Sequence, residues 1–386
     1  MSDSQEFLAP TGTGVPAVTG PQYLVPLRFV ERELNYQMKA LQGAGKPLQR
    51  ARMSNLVIFC NSLETSIAIN EQVPAISAVH PARVILLVGE PTGDREVTAR
   101  VTVRPLGPGA SPHTCSEMVT LHAAGPHVER LPFAVRALLI GDLPVNLWWA
   151  VPVPPPLAGS LLDELAESAQ QIIYDSLDWA EPARGMLATA AWLQSIERPG
   201  VRWRVASDLN WRRLRHWRRI LEQSLFDANV PEAATSVSEI LIEHGPKAVI
   251  QSWLLAAWLA RQMGYRVQHG EIRPGVEMLW RFVGKNNQTT LFRIRRIPEA
   301  LPLIRQVCVK GTLHGQPVDF CVAGESSQRL EVVLQGMADA ARRTLAIPTS
   351  QAVELIGRQL SDRVRDREFT DSMQMARQMA QNLTTR

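Results

Sequence analysis

Apolar and polar positions along this chain alternate in two rhythms, one near about 3.6 residues and one near about two, and the switches between them mark out its elements. Over 27–41 apolar and charged residues recur at helical spacing until GAGKP closes the segment. Four short β-branched runs follow: NLVIFC (55–60), ARVILLV (82–88), VTARVTV (97–103) and CSEMVTL (115–121), bounded by Gly, Pro or Asn. Helical stretches lie between the first two and after the last, at 128–139. The pattern predicts an α/β unit with a mixed sheet, and ARVILLV, the most apolar run, belongs at its centre. GDLPVNLWWAVPVPPP then supplies an extended segment and a rigid proline-rich linker, which puts a domain boundary near residue 160.

The second half opens with helical patterns over 161–173 and 184–195, separated by YDSLDW (174–179). Pro246 and Gly264 bracket a helix over 247–263 that is apolar nearly all round, and therefore buried. Strand patterns at 276–282, 290–297, 306–313, 318–322 and 329–334 predict a largely antiparallel sheet backed by helices. A long polar helix over 350–383, with Met373, Met375 and Met379, is expected to end the chain as a docking tail. The expected organisation is thus a disordered tail at 1–21, an α/β domain at 22–160, a second α/β domain at 161–345 and a helical tail at 346–386. Residues 1–21 hold too few apolar positions to offset ordering.

Composition sharpens this picture at one place. The 386 residues are 45% hydrophobic and carry a formal net charge of only +4. Between Arg202 and Arg219 there are seven arginines and one acid, so this span exceeds the charge of the whole chain. Four dispersed cysteines without a CxxC pair, and an N-terminus without basic and apolar signal regions, predict a reduced, cytoplasmic setting. AVIQSWLLAAWLA is shorter than the roughly 20 residues a bilayer requires, so no membrane partner is expected.

Chemistry is sparse. GTGVPA has no strand before it, and GAGKP lacks the first Gly and the Ser or Thr of a phosphate loop. No GxSxG, HExxH, EF-hand loop or paired CxxC occurs, and no cofactor is expected. His113, Cys115, His122 and His127 are the right types for zinc, but strand alternation turns His122 away from Cys115, so no metal site is expected. Asp142, Asp175, Ser176 and Asp178 form a conceivable carboxylate cluster, although Asp and Ser after a helix more often cap the next one.

DLNWRRLRHWRR (208–219) is the most distinctive stretch. With Asp208 as N-cap, a helical wheel places Trp211, Leu214, Trp217, Leu221 and Leu225 within roughly a 120° arc, a packing face. Arg212, Arg215 and Arg219 form a basic ridge with His216 opposite, and are the candidate partner contacts; Arg213 lies at the edge. Arg218 falls inside the apolar arc and must be paired, with Asp142 or Asp175 the expected carboxylate. Tryptophans that face inward cannot stack on bases, which disfavours nucleic acid as a partner.

Five phrases together, HPARVILL (80–87), GDLPVNLWWA (141–150), YDSLDW, DLNWRRLRHWRR and SWLLAAWLARQMGY (252–265), resemble the OpcA family of glucose-6-phosphate dehydrogenase assembly proteins over roughly residues 53–340. The resemblance implies a non-enzymatic helper whose partner is glucose-6-phosphate dehydrogenase, and which favours that enzyme's active oligomer in the oxidative pentose phosphate pathway. The family's phrases map onto Asp142, Leu143, Pro144, Trp148 and Trp149, onto Asp175, and onto Asp208, Trp211, Arg213, Leu214, Trp217 and Arg218. It implies no catalytic residue. His216 and Arg219 depart from the pattern, where Pro and an acid are more usual, so the outer face of this helix is more basic than in its relatives. The rival reading is a sugar-phosphate enzyme using Asp142, Asp175 and the arginines; a nucleic-acid binder is the weaker one.

Overall fold

The computed structural model describes residues 24–42, 49–106, 114–196, 204–225, 237–284, 287–298, 303–313, 316–326, 329–335, 342–346 and 352–385. The expected tail at 1–21 lies outside the described residues. A 3-10 turn leads into α1 (Val30–Gln42), then β1 (Gln49–Arg50), β2 (Ser54–Cys60), α2 (Leu63–Val79), β3 (Ala82–Glu90), β4 (Arg95–Pro105) and β5 (Thr114–Ala124). There follow α3 (Leu131–Arg136), β6 (Val145–Trp149), α4 (Ser160–Ala166), β7 (Gln171–Tyr174), α5 (Pro182–Ile196) and β8 (Val205–Asp208). Their strands form one sheet in the order β1-β5-β3-β2-β6-β7-β8, all parallel except β4, which runs antiparallel along β5. Leaving aside the two-residue β1, the parallel strands stand in the spatial order third, second, first, fourth, fifth, sixth, the doubly wound arrangement. β3 is internal and buried on both faces, as its composition predicts.

Two differences from the sequence pattern concern this sheet. Gln171, Ile172 and Ile173, the end of the stretch expected to be helical over 161–173, together with Tyr174 form strand β7 (QIIY), paired parallel to β6. Helical propensity ends with α4, and two β-branched isoleucines are better placed beside VNLWW. The sheet also takes in β7 and β8, so it continues beyond residue 160 to residue 208.

The remaining elements are α6 (Leu209–Arg213), α7 (Arg215–Leu225), β9 (Val237–His244), α8 (Val249–Gln262), β10 (Arg266–Arg273), β11 (Glu277–Val283) and β12 (Thr289–Arg296). Then come β13 (Ile304–Leu313), β14 (Gln316–Ser326), β15 (Arg329–Gln335), β16 (Arg342–Ala346), α9 (Ala352–Ser361), α10 (Arg367–Gln381) and β17 (Leu383–Thr385). Nine strands form the second sheet, antiparallel apart from the β9/β12 and β10/β17 pairs. One face buries Ile240, Ile242, Trp280, Phe282 and Phe292 in the core that contains α8, which is buried from Ile250 to Ala260. The other face is a lattice of charge: Arg293 reaches Glu277 at 2.8 Å and Glu239 at 3.4 Å, and Arg295 reaches Glu243 at 2.8 Å.

The C-terminal segment is not one long docking helix. It breaks between α9 and α10, where Asp366 caps α10 by accepting from Phe369 N. α9 packs Leu355, Ile356 and Leu360 with Ile69 and Val73 of α2 on the first sheet. α10 lies against α5 and α8, and β17 extends the second sheet. The chain end therefore straps the two sheets together, because its apolar stripe is used for packing.

Cysteine pairing is a further correction. Cys308 and Cys321, directly opposite in the β13/β14 register, form a disulfide, whereas Cys60 and Cys115 are free and buried. Linear spacing gave no sign of the pair, because hairpin register brought it together. Among the described residues, no helix is long and apolar enough to cross a membrane.

Candidate functional site

β7 and β8 end side by side, with Tyr174 opposite Asp208. The two phrases YDSLDW and DLNWRRLRHWRR therefore emerge from the same edge of the sheet and interlock. Asp208 caps α6: its Oδ1 accepts from Asn210 N at 2.9 Å and from Ser176 N at 3.1 Å, and its Oδ2 accepts from Ser176 Oγ at 2.6 Å. Burial pushes the Asp208 carboxyl up to about 7, and the Asp175 charge adds to that, against these three hydrogen bonds. Arg213 donates a parallel pair of hydrogen bonds, both 2.7 Å, to Asp175. Asp178 adopts a positive φ of 66° and meets Lys247 at 3.2 Å.

The apolar arc behaves as the wheel predicts: Trp211, Leu214, Trp217, Leu221 and Leu225 are all buried. The helix is interrupted at Leu214, whose N–H bonds to Trp211 O, and it restarts as α7. Arg218 is largely buried and paired, but its carboxylate is Glu368 on α10, not Asp142 or Asp175. Its guanidinium also lies 3.6 Å from the Trp211 ring centroid. Asp175 is taken by Arg213, and Asp142 is exposed in the turn before β6, at the opposite end of the parallel strands. The carboxylate cluster of Asp142 with Asp175 and Asp178 is thus not assembled.

Of the basic ridge, Arg215 and Arg219 are exposed. Arg212 is not free: its Nε donates to Gln359 Oε1, and its Nη2 donates to Asp362 at 2.6 Å, tying α6 to α9. The start of α10 completes the tie. Trp211 Nε1 donates to Asp366 and Trp258 Nε1 to Glu368, each at 2.7 Å. Local periodicity carried no signal for these acids.

Trp148 and Trp149 end β6, both buried, on opposite faces of the sheet. Trp149 stacks on Phe59, the penultimate residue of β2, with centroids 4.6 Å apart. β2 and β6 flank the point where strand order reverses, the place at which this sheet arrangement ordinarily takes a dinucleotide. The residues here do not fit that ligand. The turn after β2 is Cys60-Asn61-Ser62-Leu63, without a glycine, and Ser62 Oγ accepts from Thr65 N at 3.2 Å. One amide that would face a pyrophosphate is thereby taken by the chain's own hydroxyl. Glu90, at the end of β3 where a ribose-binding acid would stand, is bonded to His122 at 2.6 Å.

The remaining zinc-type residues stay apart. His122 holds Glu90, His127 holds Asp94 at 2.9 Å, Cys115 is buried, and His113 lies outside the described residues. Among the described residues no three potential metal ligands converge.

Sequence reasoning missed one buried charge network. Arg83, within HPARVILL, bonds Glu117 at 3.1 and 3.2 Å, pairs with Glu31 and donates to Leu138 O at 3.1 Å. A lone Arg in the otherwise apolar strand ARVILLV was the available signal.

Comparison with known proteins matches residues 73–191 to the glucose-6-phosphate dehydrogenase subunit N-terminal domain of the OpcA assembly family, and residues 204–373 to the corresponding C-terminal domain. An OxPP cycle protein OpcA of Nostoc punctiforme is 30% identical over 193 residues, covering 50% of this chain but only 40% of that protein. The OxPP cycle protein OpcA of Synechocystis sp. is 22% identical over 400 residues, covering 96% and 81% respectively. Among solved structures, a mutant of KijD10, a 3-ketoreductase from Actinomadura kijaniata in complex with TDP-benzene and NADP, superposes with a TM-score of 0.51. It shares 10% identity, over 86% of this chain and 98% of that one, a likeness of fold alone.

Proposed function

The chain belongs to the OpcA family, and on that premise we propose that it is a non-catalytic partner of glucose-6-phosphate dehydrogenase that favours the enzyme's assembled, active form. The observation that carries this reading is the match of both halves of the chain to domains described for that dehydrogenase's subunit, 73–191 and 204–373. An activator of this kind binds the active state more tightly than the inactive one, since equal affinity shifts no equilibrium. By reciprocity, glucose 6-phosphate should tighten the complex if it favours the same state. Arg215 and Arg219, the exposed members of the basic ridge, are the proposed contacts; Arg212 is occupied by α9.

A second reading, an enzyme in its own right, draws on the fold shared with an NADP-bound reductase. The glycine-free turn after β2, the stacked Phe59 and Trp149, and the separation of Asp142 from Asp175 speak against it. Mixing the purified chain with the dehydrogenase of its own organism tests both readings, with NADPH formation followed against glucose 6-phosphate and particle size measured in parallel. Co-elution with a raised rate or lowered substrate requirement is expected. No co-elution and unchanged kinetics would sink the partner reading, and turnover by the chain alone would establish the rival.

A further inference from the structure

A cleft of about 240 Å³ opens where the Asp208–Arg219 segment faces α9 and the start of α10. Arg212, Arg215 and Arg218 enter it from one side and Arg358 from the other. Two of these cations are committed, Arg212 to Asp362 and Arg218 to Glu368. The lining carboxylates are committed as well: Asp362 to Arg212, Asp366 to the Trp211 indole, and Asp208 to Ser176 and Asn210. Arg215 has no ion-pair partner among the described residues, and Arg358 reaches only Glu354, 3.8 Å away on its own helix with both side chains about half exposed. The lining thus holds four arginines against three aspartates, and Arg215 and Arg358, on its opposite sides, are the least committed of the cations.

His216 also lines the cleft. Its pKa is lowered first by burial and then by Arg215, Arg358 and Arg219, so three guanidinium groups from α7 and α9 bear on one ring. Holding like charges together in a concave site costs free energy that a bound anion recovers.

We propose that this cleft binds a phosphate dianion, free or as the monoester of a small hydroxylated molecule, with Arg215 and Arg358 as its charge-pairing ligands. The guanidinium fork matches phosphate oxygens, and two forks from different helices define a position between them. Ser207, Asp362 and Asp366 place oxygen acceptors in the same lining, suited to hydroxyl donors of an organic portion. The volume suits a small metabolite and is too small for a peptide helix. This assignment does not depend on a role with the dehydrogenase, and its test omits that enzyme.

Isothermal titration of the full chain with glucose 6-phosphate, inorganic phosphate and glucose decides it. Both phosphates bind and glucose does not; Arg215→Ala and Arg358→Ala each weaken binding about tenfold or more, whereas Arg219→Ala, outside the lining, changes it less than about twofold. Tighter binding of glucose 6-phosphate identifies the ester as ligand, and equal affinity identifies inorganic phosphate. Should either variant fail to fold, the His216 ring resonances of the unmodified chain must shift on adding phosphate. Silence in both titration and resonances at millimolar phosphate, or an Arg219→Ala effect as large as the other two, overturns the assignment.

Discussion

Arg213 donates two parallel hydrogen bonds of 2.7 Å to Asp175, and so fastens the first turn after β8 to the loop after β7. The Arg213 side chain is 9% exposed and that of Asp175 29%. Removing one member strands the other in a partly dry site. Arg213→Met should destabilise the fold by roughly 2–4 kcal/mol, less than for a wholly buried pair because water still reaches Asp175. Paired with Asp175→Asn the loss should be smaller than the sum of the two, which urea unfolding of the four-member cycle measures.

Asp208 makes stability depend on pH. Its carboxyl stands at about 7 in the fold against an ordinary value of 3.8, so the folded chain holds the proton more tightly than the unfolded one. The contribution is fully present below the unfolded pKa and is lost as pH rises through about 7, by an amount on the order of a few kcal/mol. Asp208→Asn should remove this dependence. On going from about pH 5 to about pH 8 the urea midpoint of the wild type should fall further than that of the variant. Identical slopes in the two proteins would refute the assignment.

Glu368 joins two elements. It receives Trp258 Nε1 at 2.7 Å and pairs with Arg218, whose Nε is buried without a partner. Glu368→Ala leaves a buried indole N–H without its acceptor and the Arg218 guanidinium with only the Trp211 ring, at a cost of roughly 1–3 kcal/mol, held down because the Glu368 side chain is 44% exposed. Glu368→Gln keeps an acceptor for Trp258 and should lose about half as much. A loss under about 0.5 kcal/mol for the alanine variant, by guanidinium unfolding, would show that α10 is not held here.

Arg83 is the core's own charge. Glu117, almost wholly buried beside it, is also held by Arg50 at 2.8 Å and by Arg52, so Arg83→Met should cost roughly 2–4 kcal/mol, and adding Glu117→Gln should cost more because Arg50 and Arg52 then lose their partner. Calorimetry of the single and double variants reads this directly.

Gly185 in α5 lies against the ring of Trp179, the last residue of YDSLDW: a Cβ there would come within 2.5 Å of it. Gly185→Ala gains helix propensity yet should still destabilise, by roughly 1–3 kcal/mol, because the stacked Tyr174–Trp179 pair and Pro154 leave no room to yield. A raised melting temperature would contradict this packing.

What the sequence determined by itself was local. The apolar run over 82–88 marked an internal strand, the wheel over 208–225 separated the packed tryptophans from the arginines, and the apolar character of α8 all round announced its burial. Each of these follows from periodicity within a few turns of one element. The family phrases could likewise be recognised in the linear chain, although not their interlocking. Only the tertiary structure decided that QIIY is a strand beside VNLWW, that the expected C-terminal helix breaks at Asp366, and that Cys308 meets Cys321. It also decided that Arg218 is answered by Glu368 and Arg212 by Asp362, each 150 positions away, rather than by the acids at 142 and 175. The wheel shows that a buried guanidinium needs a carboxylate. Which carboxylate arrives depends on how two sheets and the chain end pack, and no local propensity encodes that choice.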